Sequence, residues 1–206
     1  WHAAFKPLVD RIADTDIRLQ WFCCDRSTGV TDASGNRVTL IRDTQSPVAV
    51  EYQTVKFIGT GRDNIKAGVY SGWELGDYIY LRSEEAYMIK MEALAHKGSA
   101  DAVAELNSFM KTRQPDYNYT FTNKADLIEE IIYQKRVEFW GEGLEYIDNR
   151  RLNIPVDRTD ETWGKENNNH FSAGKFRYNQ EERPFLYQLP LSEIENNSQL
   201  SPSDQN

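Results

Sequence analysis

Hydrophobic positions change their rhythm part-way along the chain. Up to about Gly76 they tend to fall at every second residue, as where Ile17, Leu19, Trp21 and Cys23 alternate with Arg18, Gln20, Phe22 and Cys24. Successive side chains of a strand point to opposite faces, so this alternation predicts a strand over 17–24. Further extended runs are expected over 37–42 and 48–58, with Gly29 and the Ser34-Gly35-Asn36 cluster as turns. Residues 1–77 therefore read as a strand-and-loop portion. Gly59-Thr60-Gly61-Arg62 lacks the third glycine and the Lys-Ser/Thr that would cradle a phosphate, so it predicts no nucleotide site.

From Tyr80 the period becomes helical. Leu81, Glu84, Met88, Met91 and Ala95 recur at helix spacing, and Gly98 stands as a C-terminal stop. Ser99 is an N-cap for a second helix from Ala100 to about Arg113, with Val103, Leu106, Asn107 and Met110 on one face and Pro115 closing it. So short a joint predicts an antiparallel helix pair. Asn123 and Asp126 form a capping-box pattern for a third helix, whose inner face carries Ile128, Ile131, Ile132, Lys135 and Phe139. Gly141 and Gly143 interrupt the pattern, and a fourth helix runs from Leu144 to about Leu152. Residues 156–183 show little periodicity and read as irregular loop. Phe185 to Pro190 is a short extended piece, and Ser192 to Glu195 one turn of helix.

Charge and composition narrow the function. Lys and Arg number 24 against 32 Asp and Glu, and a net charge of −8 is the wrong sign for a chain that gains affinity by neutralising phosphates. Nucleic acid is not an expected partner. No apolar run approaches the roughly 20 residues that span a bilayer. The chain opens Trp1-His2-Ala3 with neither a Met nor a signal peptide, which predicts the interior of a longer gene product. Cys23 and Cys24 are adjacent, their Cα atoms about 3.8 Å apart, whereas disulfides prefer roughly 4.4 to 6.8 Å. They read as two free thiols.

The residues carry no enzyme that can be argued. His2, His96 and His170 are scattered, and no His or Cys stands at metal-ligand spacing, so neither a metal nor another cofactor is expected. The Asp157-Arg158-Thr159-Asp160-Glu161 cluster lacks the glycine and terminal glutamate spacing of a calcium loop and reads as a solvated acidic loop. Glu138 and Glu142 are four residues apart and close to Arg136, which on a helix would gather them into a structural ion-pair network rather than an acid/base pair. The aromatic residues say more. Trp1, Tyr70, Trp73 and Trp163 lie in segments that read as loops, where flat rings beside polar side chains suit ligands with apolar faces and many hydroxyls, such as sugars. These four are the candidate ligand-binding residues, Trp73 first, while Trp21 and Trp140 sit in periodic apolar patterns and are expected in the core.

Three ordered blocks resemble the C-terminal part of SusD/RagB proteins. They are LRSEEAYMIKMEALAHKG with Glu105-Leu106-Asn107 after it, QKRVEFWGEGLEYIDNRR from Gln134 to Arg151, and FLYQLPLSEIENN from Phe185 to Asn197. Glu92-Ala93, Arg136, Glu138, Glu142-Gly143, Asp148, Arg151 and Leu189 to Ile194 carry the resemblance. It covers residues 78–206, with only Asp16-Ile17-Arg18 and Lys56-Phe57 similar before that. Gln134-Lys135 stand where the family usually has Glu-Arg, Glu145 where it has Arg, and Met91 where Ala is common. The resemblance implies a mainly α fold of tetratricopeptide-like antiparallel helix pairs with an irregular strand-and-loop portion, a C-terminal fragment of a larger SusD-like fold. One repeat can be traced, with Tyr87, Leu94 and Pro115 at signature positions around the Gly98 turn.

The resemblance also implies a non-catalytic lipoprotein of the Bacteroidetes outer membrane, held at the cell surface by an N-terminal lipid anchor absent from this chain. Such a protein captures glycan and passes it to a SusC-like TonB-dependent transporter. Peptide cargo, as in the RagB branch, is the alternative within the family, and a glycoside hydrolase or a repeat-type protein scaffold are the alternatives from other classes. Arg136, Glu138, Glu142 and Asp148 are then expected to be structural.

Overall fold

A computed structural model describes residues 4–23, 30–31, 37–38, 53–54, 56, 80–182 and 189–204. By its internal contacts the chain divides into two units, Trp1–Glu142 and Gly143–Asn206. In the first unit, helix α1 (Lys6–Asp10) is followed by a turn of 3-10 helix (Ile17–Trp21) and strand β1 (Phe22–Cys23). The strand expected over 17–24 is thus mostly 3-10 helix. The cause is local: the Asp16 carboxylate accepts the backbone N–H of Arg18 at 2.9 Å, closing a tight turn. Arg18 then folds inward to 1% exposure and leaves Ile17 half exposed. Strand β1 pairs antiparallel with β4 (Gln53–Thr54), and β2 (Val30–Thr31) pairs antiparallel with β3 (Arg37–Val38). The expected turns at Gly29 and Ser34 to Asn36, the Gly59 to Arg62 segment and Cys24 lie outside the described residues.

Three longer helices follow: α2 (Ser83–His96), α3 (Asp101–Met110) and α4 (Lys124–Glu138). Their ends are set by local chemistry. Gly98, at φ 72°, closes α2 in a left-handed conformation, and the N–H of Ser99 returns to the carbonyl of Leu94 at 3.0 Å. The Ser99 hydroxyl accepts the N–H of Asp101 at 3.2 Å where α3 begins. Asn123 accepts the N–H of Asp126 at 2.9 Å and donates its own amide to that residue's carboxylate at 2.7 Å, so both ends of the expected capping pair are engaged.

Helix α2 packs on both α3 and α4. Met88, Met91 and Ala95 of α2, Ala102, Leu106 and Met110 of α3, and Leu127 and Ile131 of α4 are all buried. Leu81, expected on the inner face, precedes the helix and is 71% exposed. Asn107 is a brace rather than a core residue, accepting from the N–H of Tyr119 at 2.7 Å and donating to its carbonyl at 3.0 Å. The second half of α4 is buried nearly all round, because Tyr133 and Val137 on another of its faces join Ala4, Val9, Ile12 and Phe22 in a further core cluster. Leu8, Leu19, Trp21 and Trp140 pack against that cluster, the Trp140 ring meeting Phe22 edge-on at 5.7 Å.

The second unit begins at Gly143, whose φ of 86° suits a residue without a side chain. It contains α5 (Leu144–Arg151), β5 (Val156–Asp157), α6 (Asp160–Trp163), β6 (Arg177–Tyr178) and α7 (Leu191–Asn196). Strands β5 and β6 pair antiparallel, Val156 opposite Tyr178. The segment expected to be irregular is therefore an excursion tied at its base by a short ladder. No helix among the described residues is long and apolar enough to cross a membrane.

Candidate functional site

Among the described residues two places gather polar chemistry, a buried charge network in the first unit and the β5–β6 excursion in the second. The network centres on Glu138, the last residue of α4, which is 1% exposed. Its carboxylate is met by guanidiniums from three other segments. Arg113, just beyond α3, donates from Nε at 3.2 Å and Nη2 at 3.1 Å; Arg82, just before α2, donates from Nη1 at 3.0 Å; Arg18 of the 3-10 turn reaches it at 3.4 Å.

Each arginine also holds a second carboxylate. Arg18 forks onto Asp16 at 3.0 and 2.7 Å, Arg113 reaches Glu84 at 3.2 Å, and Arg82 forks onto Glu142 at 3.0 and 2.9 Å. Lys56 completes the set, donating to Glu142 at 2.6 Å and to the carbonyls of Glu138 and Trp140 at 2.6 and 3.1 Å. It thereby satisfies carbonyls at the negative end of α4. Among the described residues, four cations and four carboxylates thus interlock with no formal excess charge between them.

Burial by itself would raise the Glu138 carboxyl pKa. The hydrogen bonds from Arg113 and Arg82, with the charges of Arg113 and Arg18, outweigh it and hold the group below its ordinary value. For Lys56 the balance tips the other way: burial lowers it more than the bond to Glu142 raises it. A carboxylate held ionised among guanidiniums is poorly suited to trade protons near neutral pH. What the arrangement does well is fasten α4 to the start of α2, the end of α3 and the 3-10 turn.

Glu138 and Glu142 come together through Arg82, although α4 stops at Glu138 and Glu142 follows a turn rather than continuing the helix. Arg136 is half-buried on α4. Asp148 lies in the second unit, where Arg151 donates to it from Nε at 2.8 Å and from Nη2 at 2.7 Å. Arg82 and Arg113, the largest contributors at Glu138, escaped the sequence reading because both fell at polar positions of segments expected to be helical, whereas the fold places each just outside its helix, turned onto Glu138.

Among the aromatic candidates, Trp1, Tyr70 and Trp73 lie outside the described residues. Trp163 ends α6, is 37% exposed, and donates its indole N–H to the carbonyl of Asp157 at 2.9 Å. The acidic cluster around it is engaged internally. Asp157 accepts from the N–H and hydroxyl of Thr159 at 3.0 and 2.7 Å and from the Thr162 hydroxyl at 2.7 Å. Asp160 accepts from Lys175 at 2.6 and 2.9 Å and from Asn168 at 2.9 Å. Lys175 pairs with Asp160 and Arg177 with Asp157, and no group of three or more His, Cys, Asp or Glu among the described residues could hold a metal ion.

Residues 12–206 match the family model described as the SusD family. The chain belongs to the SusD family. Its fold is similar to that of a solved SusD-like carbohydrate binding protein from Bacteroides vulgatus ATCC 8482, with a TM-score of 0.57 and 22% identity over 94% of this chain. The match spans 40% of that longer protein. No curated protein matches the sequence. Within this SusD-family chain the two positions that depart from the usual Glu-Arg keep polar work. Gln134 accepts from Arg18 through its side chain, and Lys135 pairs with Glu92 of α2 at 3.2 Å, both side chains 6% exposed.

Proposed function

We propose that this SusD-family protein binds glycan at the cell surface without turning it over and passes it to a SusC-like TonB-dependent transporter in the outer membrane, to which a lipid anchor tethers it. The observation that carries the reading is family membership across residues 12–206, joined to a fold like that of a protein described as carbohydrate binding. The buried network supports it from the other side, since Glu138 and Glu142 are spent on holding helices together. Trp73, Trp1, Tyr70 and Trp163 are the proposed contact residues, each able to stack on the apolar face of a sugar ring. A peptide cargo is the alternative within the family.

The test is calorimetric titration of the full-length protein with a panel of neutral oligosaccharides and a panel of short peptides, followed by chromatography of the saccharides after long incubation. Saturable binding of at least one saccharide, recovered intact, is expected. Binding of peptides alone, cleavage of a saccharide, or no binding to either panel each overturns the reading, in favour of peptide capture, hydrolysis and a protein scaffold respectively.

A further inference from the structure

The cations of the β5–β6 excursion are not all neutralised. Lys175 faces Asp160 at 2.6 Å and Arg177 faces Asp157 at 3.7 Å. Arg158, the residue after β5, differs: among the described residues it has neither an ion pair nor a hydrogen bond to a carboxylate, and its guanidinium lies over the Phe176 ring, 5.1 Å from the centroid. Contact with an aromatic face steadies a cation without cancelling its charge.

Arg158 is also fixed through its backbone. Its N–H donates to the carbonyl of Phe176 at 2.8 Å, and its carbonyl accepts the side-chain amide of Asn168 at 2.9 Å. Asn168 is 6% exposed in an otherwise exposed run; it donates to Asp160 as well, at 2.9 Å, and its side-chain oxygen accepts the N–H of His170 at 3.2 Å. Lys175 binds the same Asp160. One buried asparagine thus ties Arg158, His170 and, through Asp160, Lys175 into a braced segment. The half-buried His170 ring registers the other two: burial first, then the charges of Arg158 and Lys175, hold its pKa below the ordinary value. Two positive charges therefore bear on one half-buried base, within a chain whose net charge is −8.

We propose that Arg158, His170 and Lys175 form an anion-binding subsite for an acidic group of the glycan, a uronate carboxylate or a sulfate ester. The planar fork of a guanidinium matches such a group, and a hydrogen bond between opposite charges is the strong kind. An anion seated there offsets the repulsion on His170 and favours its protonated form. Binding then takes up a proton and tightens as pH falls through the histidine range. Asp160 stays ionised over that range, because the bond from Lys175 holds its carboxyl below the ordinary value. The proposal rests on the glycan-binding reading above and adds to it the charge of the cargo and the residues that meet it.

The experiment titrates the full-length protein by calorimetry with hexagalacturonate, its fully methyl-esterified neutral form, the κ-carrageenan hexasaccharide and hexaglutamate, at about pH 7.5 and about pH 5.5 and in low and high salt. At least one acidic saccharide should bind roughly tenfold more tightly than the neutral ester, by a margin that grows at the lower pH and shrinks in salt. Which of the two does so separates carboxylate from sulfate. Arg158→Gln should lose most of that margin while keeping the affinity for the ester, with its melting recorded beside the wild type. His170→Gln should keep a margin that no longer varies with pH, and it supplies the readout if Arg158→Gln does not fold. Acidic saccharides bound no more tightly than the ester, a wild-type margin indifferent to pH, or a margin unchanged in Arg158→Gln each overturns the subsite and leaves the glycan reading standing. Hexaglutamate bound as tightly as the acidic saccharides overturns it too, since any anion then suffices. If neither these saccharides nor the neutral panel binds, both are wrong.

Discussion

Replacing Glu138 by Gln removes one negative charge from the centre of the network while keeping the side chain's shape. Glu138 and Arg18 are each 1% exposed along the side chain, whereas Arg82 and Arg113 are 19% exposed and partly screened by solvent. Breaking a fully buried pair costs roughly 3 to 5 kcal/mol. Here no arginine is orphaned, since Arg18 keeps Asp16, Arg82 keeps Glu142 and Arg113 keeps Glu84, so the low end applies, about 3 kcal/mol. At this chain length that corresponds to a melting temperature lower by roughly 6 to 12 °C.

The pH dependence separates a charge effect from a packing effect. The native carboxyl is held below its ordinary 4.5, so its contribution is full above that value and is lost as pH falls through the native pKa. The gap between wild type and E138Q should therefore be constant from neutral pH down to about 5 and narrow in stronger acid. Far-UV circular dichroism of thermal melts at several pH values measures both quantities. E105Q, at the exposed Lys90–Glu105 pair, serves as a control and should melt like the wild type. A drop for E138Q no larger than that control, or a gap that stays constant down to pH 3, would refute the argument.

The remaining expectations concern single elements. Asn123→Ala leaves the first turn of α4 without its cap and should cost about 1 kcal/mol by urea denaturation, with an unchanged slope. Arg18→Lys keeps the charge but cannot reproduce the fork on Asp16 together with the reach to Glu138, so a loss of about 2 kcal/mol or more is expected in the same assay. A stability equal to wild type would show that a point charge suffices. Lys135→Met should destabilise more than the double change Lys135→Met with Glu92→Leu, because the single change takes the buried cation from the buried Glu92 carboxylate and the double one removes both charges. A double variant less stable than the single one would count against that account.

Much of the helical architecture could be read in advance, because helix ends are decided by neighbours in sequence. Asn123, Gly98 and Ser99 act through backbone groups within a few residues, and the period of Met88, Met91 and Ala95 reflects only the pitch of a helix. Periodicity even turned Lys135 inward, where it is indeed buried, yet it could not name Glu92, 43 positions away, as the partner. The same blocks of residues pointed to the SusD family because their order is written along the chain.

The charged centre was decided in three dimensions. A one-dimensional pattern counts Arg18, Arg82 and Arg113 as polar and sends them to the surface, and it made a strand of 17–24 by treating Arg18 as the solvent-facing position of an alternation. In the fold Arg18 meets Glu138 from 120 residues away. Such a convergence stabilises an ion inside a protein only when several elements arrive together with matching charge, a condition no local window contains. Along residues 156–183, likewise, the sequence shows no period, and the bonds from Lys175 and Asn168 to Asp160 that brace the excursion join residues 15 and 8 positions apart.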